Sequence, residues 1–406
     1  MRNLPPWLRI VIVAVGLTAV AFPIVSIEGD GTGATITTRS LWFLAVLLTA
    51  GFLLYGLKLL RVVALEPTRE VRERTVLFLR SPRTALVLVS LIMAIAVLFP
   101  FLGSRQMVNL GFETLIYMTL ALGLNVVVGY AGLLVLGYAA FWAIGAYTFA
   151  ILALRLDVSM WLALPISGLT SMLAGFLLGL PSLRLRGDYL AIVTLGFGEV
   201  VYYFLKTEVQ LTGGEMGLPN KDIPGSLQDL SALPFTGPLI EPRHYYWPAL
   251  ALVILAVVVI RGVERSRVGR ALVAMREDEI AARCMGINTT RLKLAAFAFS
   301  AMWAGFAGVL WTAKLDYTNP MYYYFMQSAM ILAMVVLGGM GSIPGVMVGA
   351  ALLYAGPALL RQYLPEFQSY RLLIFGALMV LLMIYRPQGL FGSARLVAGS
   401  PKEGES

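Results

Sequence analysis

Apolar runs of about 20 residues recur about twelve times along this chain: 8–27, 41–60, 84–103, 107–128, 133–154, 160–180, 189–206, 246–262, 294–313, 326–340, 343–360 and 370–386. A helix crossing a hydrocarbon layer about 30 Å thick needs roughly 20 such residues, with about 17–25 as the working range. In lipid each backbone N–H and C=O must be satisfied by the chain itself, which a run of this length achieves as a helix. The expected fold is an all-α polytopic membrane protein with about 10–12 transmembrane helices, its partner on most sides being the lipid bilayer. The run at 326–340 is short and reads as a half-helix or re-entrant piece. Charged residues make up 13% of the chain, about half the ~25% of soluble domains. The opening "MRNLPPWLRIVIVAVGLTAVAFPIV" is basic then apolar, but the apolar part is long and no small-residue cleavage site is evident. It reads as a retained first span.

Threading the runs with the N-terminus inside places 22 of the 31 Lys and Arg residues on the inner side and nine on the outer. Basic residues favour the cytoplasmic side, so both termini are expected there, as is the bacterial inner membrane as location. Residues 61–83, "RVVALEPTREVRERTVLFLRSPR", then form a basic cytoplasmic linker between the first two spans and the rest. The Gly- and Pro-rich connection 207–245 falls outside. The net charge of +9 is scattered among short loops and forms no continuous basic face, so no nucleic-acid partner is expected. One cysteine, Cys284, and one histidine, His244, exclude an internal disulfide and leave no ligand set for a metal. A nucleophile, base and orienting group cannot be assembled from them either, so the chain is not expected to be an enzyme. No GxxxxGK[ST] run occurs, and "TGGEMG" lacks the lysine and faces outward in this threading, so the chain is expected to carry no nucleotide site and no cofactor of its own.

The most charged long stretch is "ERSRVGRALVAMREDEIAARCMGINTTRLKLAAF", residues 264–297. Its pattern predicts two short amphipathic helices on the inner membrane surface. Ser266 caps the first, which runs to about Arg276 with Val268, Leu272 and Met275 on one face. Asp278 caps the second, in which Ile280 and Cys284 share a face, and Gly286 suits the left-handed residue that ends it. Glu277, Asp278 and Glu279 gather at the N-terminal end of the second helix, where its dipole favours negative charge, and Arg283 sits in its last turn. Asn288 caps the next span. Such a segment is either an ordinary solvated loop or a docking element that a soluble partner grips to move the attached spans.

Within the spans, Glu199 in "TLGFGEVVYYF" is the deepest ionisable residue, and a carboxylate at that depth is a functional candidate. It either bonds to a neighbouring helix or lines a solute path, and Lys206, seven positions on, can approach it on the same face. Asn125 and Tyr138 are further candidates for the path, Asn125 also being suited to a bond across helices. Glu113 lies closer to the outer surface and is expected to be hydrated. Glycine-rich runs "GLTSMLAGFLLGL" and "AMWAGFAGVL" predict backbone-to-backbone helix packing. The turn "GGMGSIPG" either caps a half-helix facing a pore or is a plain tight turn. In the outer loop, "LTGGEMGLPN" is expected to be flexible and exposed, with Thr212, Gly213, Gly214 and Gly217 as an outer gate, a contact for an external protein or an ordinary connector. The tyrosine-rich "YTNPMYYYF" reads as an interfacial aromatic belt.

"EIAARCMGI" resembles the cytoplasmic coupling motif of ABC importer permeases, Glu, Ala, Ala, three residues, Gly, with Ile280 inserted into the strict Glu-Ala-Ala order. The resemblance assigns ATPase docking to Glu279, Ala281, Ala282 and Gly286, and by proximity to Arg276, Glu277 and Asp278. "GLNVVVGYAGLLVLGYAAFWAIGAY", "LRLRGDYLAIVTLGFGEVV", "LTGGEMGL", "REDEIAARCMGI", "VVLGGMGSIPG" and "YRPQGLF" follow in order over roughly 106–392. As a set they look like the M-type permease of branched-chain amino-acid ABC importers. This implies a permease core at 106–392, an N-terminal membrane extension at 1–105 and a polar tail at 393–406. It further implies an H-type permease partner, two cytoplasmic ATPase subunits that bind the ATP, and an external solute-binding protein delivering leucine, isoleucine or valine. A permease for urea, short amides or another small solute, and a self-sufficient secondary transporter or channel, are the alternatives.

Overall fold

The computed structural model describes residues 96–101, 104–183, 185, 187–219, 243–315, 317–363 and 389. The expected spans at 8–27, 41–60 and 370–386, most of that at 84–103, the linker 61–83 and the tail 393–406 lie outside the described residues. The elements are α1 (Arg105–Asn125), which continues as a π-helical turn (Val126–Tyr130), α2 (Tyr138–Leu156), α3 (Met160–Ser182), α4 (Asp188–Thr207), the short α5 (Val209–Thr212), α6 (Arg243–Arg265), α7 (Arg267–Glu277), α8 (Glu279–Cys284), α9 (Thr289–Leu315), α10 (Phe325–Gly338) and α11 (Ile343–Tyr363). Two-residue strands β1 (Leu218–Pro219) and β2 (Tyr317–Thr318) pair antiparallel. Among the described residues, seven helical segments are long and apolar enough to cross a membrane, and α11 adds a shorter apolar one. The chain is an all-α polytopic membrane protein. At 14 residues α10 spans only about 21 Å, the short run foreseen at 326–340, and a 3₁₀ turn (Pro320–Tyr323) precedes it.

The centre is made by α1 and α9, whose apolar windows are 83% and 72% buried, whereas α4 is only 22% buried and stands at the edge of the chain. Helix α9 lies against α2 and α3 with backbones almost touching. A Cβ on Gly308 would stand 2.6 Å from the Trp142 oxygen and the Ala146 nitrogen of α2. One on Gly305 would meet the Ser167 oxygen of α3 at 2.6 Å, and one on Gly175 would meet the Phe297 oxygen at 2.7 Å. Hydrogen bonds tie the neighbouring pairs: the Ser171 hydroxyl of α3 donates to the Phe141 oxygen of α2 at 3.0 Å, and the Ser300 hydroxyl of α9 to the Gly123 oxygen of α1 at 2.8 Å. Without a hydrophobic drive between helices in lipid, this close approach is what holds the bundle, as the two glycine-rich runs indicated.

Three local expectations are corrected. The span expected from 133 starts at Tyr138, and residues 131–137 are non-helical. Gly132, at φ +69°, leaves the helical region, and Gly137 is pressed onto the Thr194 carbonyl and Gly198 of α4 with no room for a Cβ. The Leu136 N–H donates to the Thr194 hydroxyl at 3.0 Å, so the connection is held against α4. The tyrosine-rich run is not simply a surface belt. Tyr323 is 3% exposed and sets its ring 5.0 Å from Trp142 at 89°, in a cluster with Trp311. Glu113 is not simply hydrated: its carboxylate accepts from Lys314 Nζ at 3.2 Å and from the Tyr354 hydroxyl at 2.7 Å, tying α1, α9 and α11 together.

Candidate functional site

Between α6 and α9 the chain makes a two-helix elbow. Ser266 caps α7, its hydroxyl oxygen accepting from the Gly269 N–H at 3.2 Å. Asp278 Oδ1 caps α8, accepting from the Ile280 and Ala281 N–H groups at 2.8 and 3.0 Å. Gly286, at φ +79°, ends α8. Its N–H donates to the Arg283 oxygen at 3.0 Å and the Ile287 N–H reaches back to the Ala282 oxygen at 3.1 Å, the paired bonds of a Schellman turn. Asn288 Oδ1 caps α9 through the Arg291 N–H at 3.1 Å. The four caps are where the sequence placed them.

The faces differ in detail from expectation. The buried side of α7 is Gly269, Leu272 and Met275, and Val268 points outward at 47% exposure. The reason is the sharp α6–α7 corner, where Gly269 lies against the Val263 and Glu264 carbonyls too closely for any side chain. In α8, Ile280 and Cys284 do share a face, but it is the outer one. Ala282 turns inward at 4% exposure, whereas Ile280 at 62% and Met285 at 81% form an apolar edge with exposed Ala281 and Cys284, flanked by exposed Glu277 and Asp278.

The inner side of the elbow is fastened to the bundle by several bonds, one of them from Arg283 Nη2, which donates to the Thr289 hydroxyl of α9 at 3.2 Å. Glu279 Oε1 accepts from Lys293 Nζ at 2.9 Å, with the lysine side chain 4% exposed, and from Arg283 Nη2 at 3.0 Å. Arg276 Nη1 donates to the Gly129 oxygen at 2.6 Å, inside the π-helical turn that ends α1. In that turn the α-helical bond pattern is broken, and one carbonyl is presented to a group outside the helix. One turn back, Asn125 Oδ1 accepts from the Gly341 N–H at 2.8 Å. "GGMGSIPG" is thus a tight turn between α10 and α11, Gly339 and Gly341 both at positive φ, locked onto the same π-helical end. Through these bonds the elbow is attached to α1 and α9, and α1 in turn to the α10–α11 turn. Arg276→Met is expected to remove one charge-assisted bond, about 2 kcal/mol, and to loosen the elbow from the spans. The check is faster amide exchange at 126–132 and 339–342, with α9 unaffected. Equal exchange in both proteins contradicts the attachment.

Lys293, Gly129 and Gly341 escaped the sequence reading. The signal for Lys293 was present: a basic residue near the start of a helix opposes the dipole, so Lys293 in α9 needed a carboxylate. Gly129 and Gly341 carry no such mark, because their part is played by backbone atoms.

The three candidates for a path are not brought together. Tyr138, 1% exposed, donates its hydroxyl to the Ser300 oxygen at 3.0 Å within the α1–α2–α9 core. Asn125 is fully buried and serves the turn described above. Of the three, Glu199 alone borders a shallow crevice, which lies between α4, the start of α2 and the start of α10. Lys206 does not approach it but pairs with Glu215 at 3.0 Å. The four outer-loop residues do come together, as a fixed hook and not a flexible strap. Thr212 is 1% exposed and donates to the Leu205 oxygen at 2.7 Å, Gly213, Gly214 and Gly217 take positive φ, and β1 follows directly to pair with β2. Asn319 Nδ2 closes the hook on the Glu215 oxygen at 2.8 Å.

A bundle of membrane-crossing helices with a braced elbow between two of them is, by class, a polytopic membrane protein. The family described as "Branched-chain amino acid transport system / permease component" matches residues 106–383. The chain is 47% identical over 321 residues, 75% of its length and 74% of the relative's, to the "High-affinity branched-chain amino acid transport system permease protein LivM" of Salmonella typhimurium, and 46% identical over the same extent to the LivM of Escherichia coli. It is also 30% identical over 291 residues, 68% of its length and 91% of the relative's, to the "High-affinity branched-chain amino acid transport system permease protein LivH" of Salmonella typhimurium. No solved structure matches it. The chain belongs to the permease family of branched-chain amino acid transport systems.

Proposed function

We propose that this chain is the M-type permease of an ATP-driven importer of leucine, isoleucine and valine, forming half of a pore with an H-type partner. Two cytoplasmic ATPase subunits bind the ATP and supply the stroke, an external binding protein delivers the solute, and this chain holds no cofactor. The supporting observation is the elbow: an apolar edge of Ile280 and Met285 free to be gripped, on a segment braced by Glu279–Lys293 and Arg276–Gly129. In this reading the docking surface is the outer face, with Ala281, Glu277 and Asp278, while Glu279, Arg276 and Ala282 transmit the force inward and Gly286 fixes the angle of the last turn. The 22-to-nine basic asymmetry supports placing the elbow and both termini in the cytoplasm, the protein lying in a bacterial inner membrane. The Thr212–Gly217 hook, at the other end of the helices, faces the binding protein.

The test is reconstitution with the H-type partner, both ATPases and the binding protein in liposomes. Uptake of labelled leucine that needs ATP and every subunit is the expected result. Leucine uptake by this chain alone, with no ATPase present, contradicts the proposal, and a complete complex that imports urea or short amides but no leucine reassigns the substrate.

A further inference from the structure

Where α1 ends against the elbow, segments far apart in sequence meet. Arg276 of the elbow donates to the Gly129 carbonyl, and Asn125, one turn earlier, accepts from the Gly341 N–H between α10 and α11. The backbones themselves are close. A Cβ on Gly129 would stand 2.5 Å from the Gly341 nitrogen, and one on Gly341 would stand 3.5 Å from the Gly129 oxygen and 3.6 Å from Arg276 Nη1. The "YRPQGLF" run joins the same turn. Its Gly389 is buried, and a Cβ there would stand 2.5 Å from the Gly339 Cα and 2.8 Å from the Val336 oxygen.

Asn125 is fully buried, yet its Nδ2 has no hydrogen-bond partner among the described residues. Buried donors are rarely left so, because an unmade bond is costly in the interior. The amide lies against Gly129, where a Cβ would collide with it. Gly129 belongs to the π-helical turn Val126–Tyr130, and such turns recur at functional sites in helices. Its carbonyl is held by an arginine of the elbow, the element a motor would move. If Arg276 is drawn away, a buried carbonyl loses its donor beside an amide that has a donor to spare.

We propose that Asn125 and the π-helical turn form a two-position relay. In the first position, the one this structure holds, Arg276 engages the Gly129 carbonyl and Asn125 Oδ1 engages Gly341. In the second, Arg276 has withdrawn with the elbow, the Asn125 amide turns so that Nδ2 donates to the Gly129 carbonyl, and Gly341 is released. The Gly129 carbonyl is paired in both positions. Gly341 is only partly buried, so its released N–H is met by water. Movement of the elbow then reaches α10, α11 and the Gly389 segment, as well as its chain neighbours α6 and α9. The relay rests on the permease reading above, which supplies the motor.

The experiment uses the permease pair with both ATPases and the binding protein in nanodiscs. Amide exchange is read without nucleotide and with ATP trapped by vanadate. The relay predicts exchange at 339–342 at least about fivefold faster in the trapped complex, and the fast rate in both conditions for Arg276→Met. Asn125→Asp keeps the acceptor for Gly341 and, ionised near Arg276, offers no donor, so it holds the first position. Its exchange at 339–342 should stay slow in both conditions, and its uptake should fall to background while ATP hydrolysis continues. Equal exchange in the two conditions, in an unmutated complex that imports leucine, overturns the relay and leaves the permease reading intact. Uptake by Asn125→Asp at the unmutated rate overturns it too, leaving Asn125 only its static bond to Gly341. The comparison on the unmutated complex needs no substitution and decides the matter even if the variant does not assemble. An unmutated complex that imports nothing removes the permease reading, and the relay with it.

Discussion

Gly308→Leu is expected to abolish accumulation of the folded chain in the membrane. The position faces α2 backbone, the Trp142 oxygen and the Ala146 nitrogen each 2.6 Å from where the first added carbon would sit. Neither atom belongs to a side chain that can swing away, so α2 and α9 must separate along their whole contact. With them goes the Gly145–Gly305 contact on the same seam. Overpacking in a core commonly costs about 1–3 kcal/mol, and a clash against fixed backbone falls at or above the top of that range. Gly262→Leu is the control, since nothing lies within 4 Å of a Cβ there. Size-exclusion profiles of detergent extracts should show a monodisperse peak for Gly262→Leu and none for Gly308→Leu. Equal peaks contradict the packing account.

Glu279→Lys is expected to loosen the α8 half of the elbow from the bundle while leaving the bundle folded. It removes the carboxylate that holds buried Lys293 and sets a third positive charge beside Lys293 and Arg283. Removing one partner of a buried pair costs about 3–5 kcal/mol. Glu279 keeps 18% of its side chain exposed, so the lower end of that range applies. Reconstituted uptake should fall to background although the subunits still insert, and the exchange Glu279→Lys with Lys293→Glu should recover a measurable part of it. If the double exchange is as inactive as the single one while both fold, the pair is not the attachment. If Glu279→Lys transports normally, the attachment has no part in coupling.

The span pattern was legible because lipid imposes one rule on every crossing segment: eight of the expected runs correspond to helices among the described residues, and where 131–137 departs the glycines at 132 and 137 explain it. Caps were legible for a similar reason. Ser266, Asp278, Gly286 and Asn288 act on backbone within three residues of themselves, so local sequence contains the whole interaction. What local sequence does not contain is which face turns inward. Val268 was expected on one face with Leu272 and Met275, yet those two turn inward and Val268 stands outside, because the sharp corner at Gly269 depends on contacts with α6. The braces were less legible still. Arg276 and Gly129 are 147 residues apart, Asn125 and Gly341 are 216 apart, and in each pair one side is a main-chain atom. Charge near the elbow suggested docking surface, yet the structure turns Arg276 and Glu279 toward the bundle and leaves the apolar Ile280 and Met285 outside.

The central claim is that the elbow stands in the cytoplasm and is covered by an ATPase. Cys284, the chain's one cysteine, is exposed on its outer face and reports on both points without mutation. A membrane-impermeant maleimide applied to inside-out vesicles holding this chain and its permease partner should label Cys284, and adding the ATPase subunits should protect it. Right-side-out vesicles should remain unlabelled. Labelling from the outside, or labelling from the inside that bound ATPases leave unchanged, contradicts the account.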